Sequence, residues 1–156
     1  MIRYSIVILF CATAFSAFGQ GKVVGLSELE KVMSDPSKDI KVINFWATWC
    51  GPCIKELPFF EKLSNERKDI AVTLVSVDYV TEVNESKINK FIARKKLTAP
   101  VLILDEPNKY VEAIEPGWSG AIPATIVINT KTGKRKFVEK ELQEGDLEKL
   151  LDEVQN

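Results

Sequence analysis

Val42-Ile43-Asn44-Phe45-Trp46-Ala47-Thr48-Trp49-Cys50-Gly51-Pro52-Cys53-Ile54-Lys55-Glu56-Leu57-Pro58 carries an apolar run into a two-cysteine turn and then into a helix. Val42 to Trp46 is apolar apart from Asn44, rich in β-formers, and too short for a helix that must cover its own ends, so it reads as a central strand. Cys50 falls where the chain turns into the helix. Pro52 is tolerated in a first turn, and Cys53 comes one helical turn later, so the two sulfurs can meet. Unpaired N–H groups and the macrodipole at a helix N-terminus favour an anion, which stabilises the Cys50 thiolate over the thiol and makes it a nucleophile near neutral pH.

The rest of the chain is sized to hold that turn. At 156 residues, 46% apolar and 28% charged, it can bury one ordinary core, so a single domain is expected. Residues 1–19 differ in character from the remainder of the chain: Arg3 is their only charge, Ile6 to Phe18 is almost wholly apolar, and Ala17-Phe18-Gly19 places small residues at a cleavage point. They read as a signal peptide, leaving residues 20–156 as the domain. A retained anchor is the alternative, but the run of about thirteen residues falls short of the roughly 20 needed to span a bilayer. Cys11 leaves with the leader; a lipid-bearing role for it is disfavoured by the bulky Phe10 and by an apolar run that continues past it.

Loss of Arg3 takes the basic residues from 21 to 20 against 22 acidic ones, a formal charge of −2. With no basic stripe there is no footprint for nucleic acid or an anionic membrane surface. The two remaining cysteines form one Cys-x-x-Cys in an exported chain, where disulfides persist. That combination points to redox chemistry.

Along the chain, Ser27-Glu28-Leu29-Glu30 reads as a capping box opening a helix that Asp35-Pro36 stops, with Leu29, Val32 and Met33 at helical spacing. The helix from Gly51 carries Leu57, Phe60 and Leu63 on one face, is expected to kink at Pro58, and ends near Lys68-Asp69. Ile70 to Val77 is a β-branched run suited to a strand covered on both faces, closed by Asp78. Asn84 is placed to cap a helix with Ile88, Phe91 and Ile92 inside; its Lys87, Lys90, Arg94, Lys95 and Lys96 form a solvated face or, alternatively, a docking patch. Val101 to Leu104 is a short strand, and Glu106-Pro107 opens a helix bearing Tyr110, Val111 and Ile114. Ala124 to Asn129, a turn at Thr130 to Gly133, and Lys134 to Lys140 make a hairpin. A last helix carries Leu147, Leu150, Leu151 and Val154 behind an Asp146 cap. Helices and strands alternating before a terminal hairpin give an α/β domain with a mixed sheet.

A lone Cys-x-x-Cys has competing readings. Zinc needs about four ligands, and the chain has no histidine and no second cysteine pair. A c-type haem needs histidine directly after the second cysteine, where Ile54 stands. A structural disulfide closing so short a loop contributes only about 2 kcal/mol. Without histidine, Cys–His hydrolase or acyl-transfer chemistry lacks its base. Thiol–disulfide exchange needs no base, only a thiolate, an in-line disulfide and a leaving thiol.

Phe45-Trp46-Ala47-Thr48-Trp49-Cys50-Gly51-Pro52-Cys53, with the later Ile122-Pro123, resembles the thioredoxin superfamily over about residues 23 to 154. The resemblance implies a thioredoxin-like α/β fold, a mixed sheet with helices on both faces. It also implies that Cys50 attacks, Cys53 resolves, and Ile122 precedes a cis-proline, Pro123, beside the sulfurs. Trp49, Gly51, Pro52, Ile122 and Pro123 become the expected client-binding residues, with the Ile122 backbone pairing with an extended client by strand addition. Asn44 stands where thioredoxin itself has a buried aspartate. Glu56, three residues after Cys53, resembles the acid of the exported TlpA/ResA-like thiol–disulfide oxidoreductases, and the helix and strand between Asn84 and Leu104 match that branch's mid-chain insertion. Glu56 is therefore expected near the sulfurs, partly buried, with a raised pKa and a role in handling the Cys53 proton; an exposed helix glutamate is the alternative.

Taken together, the sequence predicts an exported, periplasmic and monomeric protein-disulfide reductase working through Cys50 and Cys53. It needs no cofactor and no metal, acts on protein or peptide disulfides, and is recharged by a membrane-bound electron donor. The competing reading is a thioredoxin-fold chaperone, isomerase or client-binding module with little reductase turnover. A thiol peroxidase fits less well, because it uses a lone activated cysteine.

Overall fold

A computed structural model describes residues 19–156; most of the expected leader, Cys11 included, lies outside the described residues. The described residues form eleven elements in the order β1 (Lys22–Val24), α1 (Leu26–Ser34), β2 (Ile40–Trp46), α2 (Gly51–Glu66), β3 (Ile70–Ser76), α3 (Glu82–Lys95), β4 (Val101–Leu104), α4 (Pro107–Ile114), β5 (Ala124–Asn129), β6 (Arg135–Val138) and α5 (Asp146–Gln155). The sheet order is β1-β4-β3-β2-β5-β6. β1, β4, β3 and β2 run parallel, and β5 and β6 are antiparallel to their neighbours, which is the thioredoxin-like mixed sheet.

Period-2 alternation along β2 divides the core between the two faces of the sheet. Ile40, Val42 and Trp46 pack with Leu57, Phe60 and Leu63 of α2, Ile88, Phe91 and Ile92 of α3, and Leu147, Leu150, Leu151 and Val154 of α5. Ile43 and Phe45 face the other way, toward Leu29 and Met33 of α1, Ile114 of α4 and Trp118. Every residue of β2 is buried, as a strand covered on both faces requires. β2 lies between β3 and β5, in register Trp46 with Ser76 and Phe45 with Ala124. The loop bearing Cys50 therefore leaves the middle of the sheet, and the insertion α3–β4 sits on the β3 side.

Several local expectations are corrected. β1 has no counterpart among the expected elements: three residues are too few for a periodic signal, and the strand exists because Lys22–Val24 pairs in register with Leu102–Leu104, far along the chain. The N-cap of α1 is Gly25, two residues earlier than Ser27; its N–H is bonded to the Glu28 carboxylate at 3.2 Å, and glycine has no side chain to complete a capping box. Thr81, not Asn84, caps α3: its hydroxyl accepts from the Asn84 N–H at 3.1 Å. Gly145, with φ +84°, caps α5, and Asp146 is the first helical residue. α2 continues through Pro58 and stops at Glu66, where Arg67 closes it with an N–H to the Leu63 carbonyl. The last strand is confined to Arg135–Val138. The basic residues of α3 form its outer, exposed face, with the Arg94 guanidinium 5.4 Å and the Lys95 ammonium 5.9 Å from the centre of the Phe91 ring.

Candidate active site

Cys50 is the N-cap of α2, and Cys50 and Cys53 are joined as a disulfide. The Cys53 N–H donates to the Cys50 sulfur at 3.2 Å, so one of the unpaired amides of the first turn points at that atom. Gly51 and Pro52 fill the first two helical positions, where proline's missing N–H leaves no bond unmade. The turn before them is closed by the Cys50 N–H to the Ala47 carbonyl at 3.1 Å.

Cys50 is less open than its place at a helix start implies. It is 5% exposed, and Cys53 is fully buried. Two features cover it: the Ala47–Cys50 turn folds the loop back, and the Ile122 carbonyl oxygen approaches from the β5 side, 3.9 Å from the Cys50 sulfur. The Ile122–Pro123 peptide is cis, as expected. Around this narrow opening Trp49 is 70% exposed, Gly51 and Pro52 are exposed, Ile122 is half-buried and Pro123 is buried. The site residues named from the sequence thus meet at one end of the sheet, and of the Ile122–Pro123 pair it is Ile122, not the Pro123 ring, that is open to a visitor.

Glu56 projects from the same helix one turn beyond Cys53 and is 0% exposed, more deeply buried than expected. Both of its oxygens are occupied: the Asn44 amide N–H donates to Oε1 at 2.7 Å, and the Leu142 N–H donates to Oε2 at 2.7 Å. Burial disfavours the carboxylate and pushes its pKa from the ordinary 4.5 up to about 7; the nearby Glu141 charge adds to the rise, while the bonds from Leu142 and Asn44 oppose it. Asn44 also donates to the Thr125 hydroxyl at 3.1 Å, and its own carbonyl oxygen is buried without a partner.

Two supports of the site are not visible in the sequence. Asp78, which reads there only as the end of a strand, accepts from the Thr48 N–H at 2.9 Å, the Thr48 hydroxyl at 2.7 Å and the Ser76 hydroxyl at 2.8 Å, tying the Cys50 loop to the end of β3. Glu139, just after β6, accepts from the Ala121 N–H at 3.0 Å and the Ser119 N–H at 3.3 Å, and also from the Ser119 hydroxyl. The Trp118 indole N–H closes the same segment onto the Ala121 carbonyl at 2.7 Å, with its ring 4.7 Å from Phe45. A strand-end aspartate and a hairpin glutamate carry no spacing rule, so only the Thr48-to-Asp78 strand register could have hinted at the first.

The family model described as Redoxin matches residues 7–151. The chain belongs to the Redoxin family. Among individual relatives, this chain is 34% identical over 101 residues to sporulation thiol-disulfide oxidoreductase A of Bacillus subtilis, covering 64% of this chain and 59% of that one. It is 32% identical over 110 residues to thiol-disulfide oxidoreductase ResA of Halalkalibacterium halodurans, covering 70% and 55%. The chain thus spans less than two thirds of the length of these curated relatives. Its fold is similar to that of StoA from Bacillus subtilis, with TM-score 0.58, 26% identity and coverage of 74% and 85%. It is also similar to that of a secreted thiol-disulfide isomerase from Corynebacterium glutamicum, with TM-score 0.65, 23% identity and coverage of 80% and 75%.

Proposed function

We propose that this chain is an exported thiol–disulfide oxidoreductase that reduces protein or peptide disulfides, with residues 1–19 as its signal peptide and the periplasm as its compartment. The observation that carries the reading is the Cys50 sulfur at the N-cap of α2, receiving the Cys53 N–H at 3.2 Å beside the Ile122 carbonyl. The same donor that holds the sulfur in the disulfide stabilises it as a thiolate once reduced.

The cycle starts from the dithiol. The Cys50 thiolate attacks one sulfur of a client cystine; a Cys50–client bond forms, the client S–S bond breaks, and the other client sulfur leaves as a thiolate that takes a proton from water. Cys53 then loses its proton and attacks the Cys50 sulfur. The Cys50–Cys53 bond forms, the Cys50–client bond breaks, the second client sulfur leaves as a thiolate that takes a proton from water, and two electrons have passed from the pair to the client. Cys53 is fully buried, so its proton needs a local acceptor, and a carboxylate poised near pH 7 one turn away supplies one; Asn44 has no basic atom for the task. An extended client pairs with the Ile122 backbone, and Trp49, Gly51 and Pro52 form the floor on the other side of Cys50. A membrane-bound donor returns the electrons.

Insulin reduction by the purified chain, together with capture of clients, tests the roles. Cys50→Ser abolishes reduction and traps nothing, whereas Cys53→Ser accumulates mixed disulfides that a reducing gel resolves. Equal trapping by both variants would overturn the division of roles, and binding of unfolded insulin without any reduction would favour a chaperone module.

A further inference from the structure

Among the described residues the exposed large hydrophobic side chains are Trp49, Tyr79 and Val83, at 70%, 67% and 64%. All three stand at the edge of the sheet from which Cys50 is presented. Trp46 of β2 is in register with Ser76 of β3, and the Asp78 carboxylate holds Thr48 by its N–H and hydroxyl, so Trp49 and Tyr79 are the next residues along two loops tied side by side. Val83 comes next, in the first turn of α3. Large apolar side chains gathered on one edge of a soluble domain mark a surface that another molecule covers.

Tyr79 is also fixed in its exposed position. The Asn84 amide donates to its carbonyl at 3.0 Å and the Asn108 amide of α4 donates to its hydroxyl at 2.7 Å. A solvent-facing ring whose hydroxyl is held, on a backbone that is itself bonded, offers contact area with less rotamer freedom left to lose on binding.

Resting on the oxidoreductase reading above, we infer that Tyr79 and Val83 form a specificity subsite for the client polypeptide, accepting a large apolar or aromatic residue on the side of its cysteine opposite to the stretch that pairs with Ile122. The sheet order places the three points in line: Tyr79 after β3, Cys50 after β2, Ile122 before β5. Neighbouring strands are about 4.8 Å apart and an extended chain advances about 3.3 Å per residue. The residue that reaches Tyr79 therefore lies one to three positions from the attacked cysteine. Glu82 and Glu85 in the first turn of α3 flank Val83, which suits a peptide and opposes an anionic lipid surface.

The test is a two-by-two cycle of binding. The probes are a peptide in which serine replaces the cysteine and tryptophan stands two residues later, and the same peptide with alanine in place of that tryptophan; dissociation constants come from heteronuclear NMR titration of the purified chain. The tryptophan peptide is expected to bind about five-fold more tightly, about 1 kcal/mol at 1.4 kcal/mol per decade. Tyr79→Ser combined with Val83→Ser abolishes that preference, and Tyr79→Phe, which keeps the ring, retains it. No preference in the unaltered chain, or a preference that survives the double substitution, overturns the subsite. The cysteine-containing peptide, supplied as its mixed disulfide with glutathione, reports turnover separately. Absent reduction with the binding preference intact would count against the oxidoreductase reading and leave the subsite standing.

Discussion

Replacing Glu56 by glutamine separates the energetic burden of a buried carboxylate from the fold that holds it. Glu56 is fully buried and its pKa is raised from 4.5 to about 7. Between those two values the native state holds a proton that the unfolded chain has already released, so stability falls as pH rises. The contribution is complete below about pH 4.5 and is lost as pH passes through about 7. At about 1.4 kcal/mol for each pH unit of the interval, the native state gives up of order 3 kcal/mol across it. Glu56→Gln removes this dependence. The glutamine carbonyl can accept the Leu142 N–H, and its amide needs an acceptor; the Asn44 carbonyl oxygen, buried and unpartnered, supplies one when the Asn44 amide rotates.

The measurement is urea unfolding of the oxidised protein and of the oxidised E56Q variant at pH 4.5 and pH 8.5, taken as a difference of differences so that all other carboxylates cancel. The variant gains on the parent by about 3 kcal/mol between the two pH values, whatever their order of stability at either one. Stability curves that run parallel within about 0.5 kcal/mol would show that Glu56 ionises in the native state at its ordinary pKa, and the proton-acceptor role would lose its basis.

Glutathione equilibration should place the midpoint potential below about −180 mV, toward the reducing end of a range that runs from about −270 to about −120 mV in this chemistry. Gly51-Pro52 adds no side-chain donor or cation to stabilise the Cys50 thiolate further, and a more positive midpoint would make the protein an oxidant or isomerase. Glu139→Ala removes the acceptor of two N–H groups and one hydroxyl in the segment leading to Ile122, and is expected to raise KM for a protein disulfide about three- to ten-fold. An unchanged KM would mean that Trp118 alone holds that segment.

Local and periodic features of the fold are the ones legible in the sequence. The strand before Cys50, the helix after it, the inner faces of α3 and α5, and the hairpin all come from spacing within a few residues, and the structure contains each of them. Helix starts are less legible, because any of several neighbouring small polar residues can cap. Thr81 and Asn84 both qualify by residue type, and the backbone path decides for Thr81. Contacts over long separations leave no trace. Lys22–Val24 becomes a strand only through β4, the Leu142 N–H reaches Glu56 from 86 positions away, and Glu139 secures a loop 20 residues earlier. The burial of Cys50 belongs to the same class, since the Ile122 carbonyl that covers it comes from 72 positions further along the chain.

The two halves of the proposed exchange rest on different supports, and this division comes from β2 being central. Its continuation, Thr48, is fastened to Asp78 beyond β3, which fixes the loop that presents Cys50; its interior residue Asn44 turns toward α2 and bonds Glu56, the acceptor proposed for the Cys53 proton. Attack by Cys50 depends on the first turn of α2 and the Asp78 tie, neither of which involves Glu56. Resolution by Cys53 depends on removing a proton from a fully buried thiol, where Glu56 is the carboxylate with a pKa near neutrality. Loss of Glu56 should therefore leave mixed-disulfide formation at its original rate and slow only the release of the client, so that E56Q accumulates the same intermediate as Cys53→Ser but discharges it slowly with time.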